Sequence, residues 1–491
     1  MKPIALAPSS PSLSRSRHRR LAHVALALVA AAVSVTVVAC SADATSPTAP
    51  PSADPPPAPN APPVATGDAS TDAAPTKQPT PVTVAVADLT LGAHHSCALT
   101  SDGKVFCWGA NASGQLGYGD KRARGAAAMD MGIGLAPVAL PAGRTAKAIQ
   151  AGSDRTCALL DDGSVRCWGD NDYGELGTGA VASSIGGAAG QMGDKLVPMN
   201  LPAGVTVTAL DVGGSSTCAL ASDGTAYCFG LLYYGTGIGQ NTDYGTSPYA
   251  ISFGAGRKLV QISGCGVLET SKVVCWGKNV LKNDGVGNIE FIGAGSGTPT
   301  VPLGVGFDAK KAVNVGNARC ALSTDGRVKC WGGNYFTYEP KDHGLGHDNV
   351  VGATSTADMG DALPALDFGT SKKVLDVANG GHGCVLLEGG TVKCWGANLH
   401  GELGLGDNVH RGSKPGEMGT ALPAVAVGTG RTVKRIVVGE SHTCAILDDD
   451  RVKCWGANAD GQLGLGDAVD RGVLPGTMGD ALPYVDLREL R

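Results

Sequence analysis

A cysteine pair spaced ten residues apart recurs seven times along this chain. The pairs are Cys97 with Cys107, Cys157 with Cys167, Cys218 with Cys228, Cys265 with Cys275, Cys320 with Cys330, Cys384 with Cys394, and Cys444 with Cys454. With Cys40 they account for all 15 cysteines of the 491 residues. The pattern Cys-Ala-Leu-x-x-Asp-Gly-x-Val-x-Cys-Trp-Gly surrounds the pairs at 97–109, 157–169 and 320–332, and looser copies begin at Cys218, Cys265, Cys384 and Cys444. First cysteines are 47 to 64 residues apart. Such a period means that one supersecondary unit is repeated and that neighbouring units bury each other's faces.

The ten-residue spacing reads as a hairpin. With Ser101-Asp102-Gly103 as its loop and Gly103 left-handed, Thr100 faces Lys104, Leu99 faces Val105, Ala98 faces Phe106, and Cys97 faces Cys107. Directly opposed residues sit ~4.5–5.5 Å apart at Cα, inside the disulfide window of ~4.4–6.8 Å. The same register works at Asp162-Gly163, Asp223-Gly224, Asp325-Gly326 and Gly389-Gly390. The loops at Thr270-Ser271 and Asp449-Asp450 lack the glycine and are expected to turn differently. Seven intra-hairpin disulfides are one reading; seven pairs of reduced, buried cysteines are the other. Zinc fits poorly, since no further His or Cys stands beside each pair.

Alternation puts Cys97, Leu99, Val105 and Cys107 on one face and Ala98, Phe106 and Trp108 on the other. Both faces are apolar, so the hairpin belongs inside a stack. All six tryptophans follow a second cysteine, and Phe229 takes that place in the third copy; these residues read as core between repeats. Further strand-like segments precede each hairpin, such as 422–427 and 432–439. Four short strands per repeat, seven times, make an all-β, seven-bladed β-propeller over 82–491. Gly at 73 of 491 residues, about twice the usual ~7%, suits its many turns. Copy 1 lacks a first strand, and 482–488 has no eighth hairpin to serve. That C-terminal strand is therefore expected to close the ring by completing the blade begun by 82–109, pairing two exposed sheet edges.

Residues 1–40 read as an export signal. Lys2, Arg15, Arg17, Arg19 and Arg20 precede an apolar run at 21–39 that ends at Cys40. Val37-Val38-Ala39-Cys40 is similar to a bacterial lipobox, which makes Cys40 the expected lipidation site; an ordinary cleaved signal and an uncleaved anchor are the alternatives. Export favours the disulfide reading of the pairs. Residues 41–81 hold 12 of the 28 prolines and no aromatic residue, a disordered Pro-rich linker by composition. Without residues 1–40 the chain carries 34 Lys+Arg against 44 Asp+Glu, a net −10, so nucleic acid and anionic lipid are not expected partners.

The downstream Asn-x-x-Gly-Gln/Glu-Leu-Gly-x-Gly segments at 111–119, 171–179, 398–406 and 458–466 complete a pattern. Together with the hairpin motif it resembles the repeat of the regulator of chromosome condensation family, over about residues 82–491. The resemblance is specific in copies 1, 2, 6 and 7, fair in copy 5 and weak in copies 3 and 4. It implies the seven-bladed propeller, and the cysteine pairs match an exported branch. The family's best-known activity, nucleotide exchange on a small GTPase, is not expected of an exported chain.

No Gly-x-Ser-x-Gly elbow, phosphate loop or His-Glu-x-x-His is present, and neither a cofactor nor a metal is expected. His343 and His347 have a metal-like spacing without a third ligand and read as loop residues. His95, His382 and His442, two residues before first cysteines, are expected to bond backbone. Asp120 with Arg124, Asp407 with Arg411 and Asp467 with Arg471 read as local salt bridges or turns in preference to calcium ligands. Copies 1, 2, 5, 6 and 7 end in a Met-Gly loop (Met131, Met192, Met359, Met418, Met478) that copies 3 and 4 lack. Residues 229–338 instead hold 11 of the 17 Phe+Tyr residues. Of these, Tyr233, Tyr234, Tyr244, Tyr249, Tyr335, Phe336 and Tyr338 fall in expected loops, where binding residues concentrate; repacking in place of the missing loops is the plainer account.

The reading is an exported, lipid-anchored monomer at the cell envelope, outer membrane or cell surface. It binds an extracellular protein or glycan. The alternatives are an inhibitor of an extracellular enzyme and, less favoured, a propeller enzyme with facing carboxylates in its channel.

Overall fold

The structure, a computed structural model, describes residues 81–180, 184–230, 247–278, 291–292, 297–315, 318–332, 335–336, 339–340, 357–378 and 380–490. Beside three small two-stranded pairings they form seven antiparallel sheets in chain order, each built on one cysteine-paired hairpin. Blade 1 is Val86–Leu91, His95–Thr100 and Val105–Gly109; blade 7 is Val433–Val438, His442–Leu447 and Val452–Gly456. The first strands neighbour one another all the way round, Val433–Val438 against Val86–Leu91 included, so they form the inner wall of a ring. Among the described residues no helix is long and apolar enough to cross a membrane.

The hairpin register is the one the spacing implies: Cys97 faces Cys107 and Ala98 faces Phe106. All seven pairs are bridged within their own hairpin, with Cα atoms 4.0–4.3 Å apart. Cys107 turns its backbone away from Cys97, toward the Tyr118 hydroxyl, which bonds both its N–H and its C=O at 3.0 Å. The cysteines thus occupy a non-hydrogen-bonded position, where opposed Cα atoms come closest. The glycine-free turns do not differ as expected. Ser271 and Asp450 take the left-handed position of Gly103, with φ of 59° and 61°, because the register leaves the chain no other way round.

Among the described residues three strands per blade, not four, is the rule; blade 3 alone adds a fourth, Tyr249–Ile251. The segments expected as first strands lie on the outside of the preceding blade. Outside blade 3 these segments bond a third-strand valine: Val138 N–H to Val105 O (2.7 Å), Val425 N–H to Val392 O (2.9 Å), Val485 N–H to Val452 O (2.9 Å). Proline explains why no ladder forms. Pro137, Pro423 and Pro483 stand in these segments without an N–H to donate. Side-chain cations hold the segments instead: Lys329, Lys393 and Lys453 each bond the carbonyl of a Met-Gly loop glycine, at 2.8, 3.2 and 2.8 Å.

The expected role of 482–488 is corrected by the same geometry. It flanks blade 7, through Val485, and does not join the sheet of blade 1. Blade 1 receives Val138 as its outer segment, so that edge is already covered. The segment leading into blade 1 and the one following blade 7 meet in a separate two-stranded pairing of Pro81–Thr83 with Arg488–Leu490. Between blades, the inner strand bonds the preceding hairpin turn: Ala146 N–H to Gly103 O (2.8 Å), Val433 N–H to Gly390 O (3.0 Å) and, from blade 1 to blade 7, Val86 N–H to Asp450 O (3.1 Å).

Candidate functional site

The chemistry that distinguishes one part of the ring from another sits between blades. In the Asn-x-x-Gly-Gln/Glu-Leu-Gly loop the asparagine folds the loop on itself: Asn111, Asn398 and Asn458 Oδ1 accept the N–H of Leu116, Leu403 and Leu463 at 2.9–3.0 Å. Those leucines are fully buried. The loop then aims one carbonyl at the next blade's tryptophan. Trp168, Trp455 and Trp108 Nε1–H donate to Gln115, Glu402 and Gln462 O, each at 2.9 Å. Thr156, Thr443 and Ser96 hydroxyls donate to the same three carbonyls, at 3.0, 3.0 and 2.8 Å. Two donors from one blade on one carbonyl of its neighbour make a lock at the 1/2, 6/7 and 7/1 interfaces.

The last glycine of the motif makes the fit possible. Gly464 has φ +66°, and a Cβ there would lie 2.7 Å from Trp108 Nε1; at Gly117 and Gly404 the corresponding distances to Trp168 and Trp455 are 2.8 Å.

His95, His382 and His442 extend the lock. Their Nε2 atoms meet Thr156 Oγ1 (2.9 Å), Thr443 Oγ1 (2.6 Å) and Ser96 Oγ (3.0 Å) on the next blade. This corrects the expected backbone bond: the strand's own carbonyls are used in the ladder, and the ring reaches across the interface to a hydroxyl. Each hydroxyl hydrogen goes to the loop carbonyl, so the imidazole donates from Nε2–H and its Nδ1 is a bare, buried acceptor. Burial pushes all three rings down to about 3, so they are neutral at pH 7.

At the 2/3 interface Arg155 replaces the histidine. Its guanidinium donates to Gly213 O (2.9 Å) and Gly214 O (2.6 Å) and pairs with Glu175 at 3.6 Å. Burial lowers the Arg155 value and raises that of Glu175, and each charge draws the other part of the way back. At the 3/4, 4/5 and 5/6 interfaces no such lock occurs among the described residues. Trp276, Trp331 and Trp395 are buried, yet their Nε1–H groups have no hydrogen-bond partner among the described residues. Blades 3, 4 and 5 are the copies without the loop motif.

The aromatic residues of 229–338 divide. Phe229, Phe253 and Phe307 are core, and the Phe253 ring lies 5.5 Å from that of Trp276. Tyr249 sits in the fourth strand of blade 3, paired opposite Cys228, and packs half-buried on that core; it is not a loop residue. Tyr335–Phe336 form the first arm of a small hairpin with Glu339–Pro340, just past the third strand of blade 5. Tyr233, Tyr234, Tyr244 and Tyr338 lie outside the described residues, as do Cys40, His343 and His347.

On the inner wall, Asp88 and Asp376 are each paired to the blade before them, with Arg435 (2.8 Å) and Lys311 (2.7 Å). They brace neighbouring blades and do not face each other as an acid–base couple. The Asp-Arg loops are the expected ion pairs, Asp120–Arg124, Asp407–Arg411 and Asp467–Arg471 at 2.6–2.8 Å. No metal-ligand group of three or more side chains occurs among the described residues. One cleft of 410 Å³ opens on the 6/7 interface, lined by glycine, proline, alanine, Leu405 and Met478.

The sequence model of the regulator of chromosome condensation (RCC1) repeat matches residues 86–115, 146–175 and 433–462, and a second model of that repeat matches 102–159. The chain is 25% identical over 394 residues to the ultraviolet-B receptor UVR8 of Arabidopsis thaliana, covering 79% of this chain and 68% of the receptor. It is 27% identical over 370 residues to the E3 ubiquitin-protein ligase HERC2 of Homo sapiens, covering 71% of this chain but 7% of the ligase. Among solved structures, human WBSCR16 matches with a TM-score of 0.58 at 18% identity, over 75% of this chain and 86% of that one. Prp20p of Saccharomyces cerevisiae, described with its binding properties to Gsp1p and histones, matches with a TM-score of 0.55 at 20% identity, over 77% and 86%. At such identities the structures speak for the propeller fold alone.

Proposed function

Because the chain carries regulator of chromosome condensation repeats, we propose that it is an interaction module, exported and held at the cell envelope by a lipid on Cys40, that binds an extracellular protein or glycan. The observation that carries this reading is the unequal ring. Blades 6, 7, 1 and 2 are joined by repeated inter-blade bonds, whereas the chain between blades 3, 4 and 5 departs from the motif and concentrates aromatic side chains. A rigid frame with one divergent, aromatic-rich sector is how repeat folds separate support from recognition. Of the described inner-wall carboxylates, Asp88 and Asp376 are tied to cations and Asp211 accepts the Gly264 N–H at 3.0 Å; each is held by its own partner, which favours binding over an acid–base reaction there.

Two experiments test the proposal. Residues 82–491 are immobilised and probed with exported proteins and a glycan array. A ligand captured by the wild type and lost when Tyr233, Tyr234, Tyr335, Phe336 and Tyr338 are changed to Ser supports it. Capture that survives those changes moves the site off this sector, and no capture at all overturns the reading. Separately, Cys40→Ser should release the full chain from membranes. A wild type that is already soluble rejects the anchor.

A further inference from the structure

All six described histidines belong to blades 6, 7 and 1: His382, His400 and His410; His442; and His94 and His95. Three of them are the fully buried members of the inter-blade locks. Each of these donates its Nε2–H to the next blade, and each leaves Nδ1 with no partner in a place that water does not reach. A second proton on such a ring has nothing to bond, so the closed interface refuses it and an opened one accepts it. The three sites serve consecutive interfaces, 6/7, 7/1 and 1/2, and the pairing of Pro81–Thr83 with Arg488–Leu490 joins the segments that flank blades 1 and 7. No bridge crosses any interface, since every disulfide closes its own hairpin.

We propose that this junction is an acid-opened latch: proton uptake by His95, His382 and His442 releases blades 7 and 1 from the ring, with every hairpin still stapled. Opening returns each imidazole from about 3 to its ordinary ~6.5. The depressed side is the closed state, so closure is fully favoured above ~6.5 and is lost as pH falls toward the closed-state value. The surrounding charges modify this without reversing it. His94 faces Asp460 at 3.3 Å, Asp154 accepts from Gln115 at 3.1 Å, and Glu440 stands beside Gly381. Asp88 at the 7/1 interface and Glu402 at the 6/7 interface are raised by burial, so they hold protons better when closed and offset up to two of the three. The opening equilibrium should therefore rise between about tenfold and about a thousandfold per pH unit across the acid range.

Hydrogen exchange followed by mass spectrometry on the intact exported protein, from pH 7 to pH 4, with intrinsic rates corrected, tests the latch. Expected is a steep loss of protection in peptides from 86–109 and 433–456 at a pH where peptides from 216–230 and 318–332 remain protected, with recovery on neutralisation and all bridges intact on non-reducing mapping. H442Q retains an amide N–H for Ser96 but cannot titrate; it should flatten the slope by about tenfold per pH unit. Simultaneous opening of both sectors, or a pH-independent opening in the wild type, overturns the latch. So does an unchanged slope in H442Q, and if that variant does not fold, the wild-type slope and its location decide the matter alone.

Discussion

Blades 7 and 5 carry nearly the same hairpin and are joined to their neighbours in different ways. Trp455 and Trp331 follow the second cysteine in each and are equally buried. The first donates to Glu402 O at 2.9 Å; the second has no partner among the described residues. The difference does not lie in blade 5 or blade 7. It lies one repeat upstream, where blade 6 has Asn398-x-x-Gly-Glu-Leu-Gly and blade 4 has no such loop. In a ring of this kind a blade's stability is written partly in the sequence of the blade before it, as nearest-neighbour terms in a repeat array.

The comparison is broken most severely at the glycine of the lock. Gly464→Val forces a β-branched residue into φ +66° and places its Cβ 2.7 Å from Trp108 Nε1. Strain and overpacking each cost on the order of 1–3 kcal/mol, so a loss of about 3 kcal/mol or more is expected in urea unfolding. Gly256 has a similar φ of +73° but nothing within 4 Å, so Gly256→Val should show the backbone part alone. Equal losses at the two positions would remove the lock from the argument.

Removing a bridge should be even-handed between the sectors. Cys97→Ser with Cys107→Ser and Cys320→Ser with Cys330→Ser open loops of identical sequence separation, 10 residues. The chain-entropy contribution for so short a loop is ~3 kcal/mol or less. Melting of the two double variants should therefore agree within the error of the measurement. A much larger loss in blade 5 would mean that the bridge substitutes there for the missing lock. Mapping without reduction should return the seven pairs, and a bridge between different blades would refute the register.

Trp→Phe substitutions sharpen the contrast at lower energy. At Trp108, Trp168 and Trp455 the change removes a made hydrogen bond as well as part of a ring, and a net cost of about 1–2 kcal/mol beyond the ring is expected. At Trp276, Trp331 and Trp395 the lost N–H is one that found no partner, and that extra cost should vanish. A double-mutant cycle of Trp455→Phe with Asn398→Ala should show coupling, because Asn398 holds the loop that presents Glu402 O.

Much of this was legible in the sequence, and the illegible part has a common cause. The Cys97 to Cys107 spacing set the hairpin, its register and its bridge, because all three are local. The loop motif marked copies 1, 2, 6 and 7 as alike. What it could not show is that Gln115 acts on Trp168, 53 residues later, or that His95 acts on Thr156, 61 residues later. Partners across an interface are fixed by how the blades stack, and no periodicity within one repeat encodes that. The outer segments misled for a different reason. Their alternation looks like a strand, while Pro423 and Pro483 remove the donors a ladder requires. Tyr249 reads as a loop residue until its pairing with Cys228 is seen.

The smallest effect concerns the two turns without glycine. Ser271 and Asp450 stand at φ 59° and 61°, where Gly103 and Gly163 stand at 81° and 82° in equivalent turns. An L-residue in that region costs roughly 1–2 kcal/mol relative to glycine, offset in part by the extra freedom glycine has in the unfolded chain. Ser271→Gly should therefore stabilise the protein by a few tenths to about 1 kcal/mol. Asp450→Gly should gain less, since it gives up an exposed ion pair with Lys434 at 2.6 Å, worth about 0–1 kcal/mol. The two turns also face different neighbours. Ser271 O accepts Ala309 N–H at the unlocked 4/5 interface, and Asp450 O accepts Val86 N–H at the locked 7/1 interface. If strain relief is local, Ser271→Gly raises the melting temperature without altering exchange at Ala309. Slower exchange at Ala309 in that variant would show that turn strain had been loosening the interface as well, and would give the weak sector a second cause beside its missing loops.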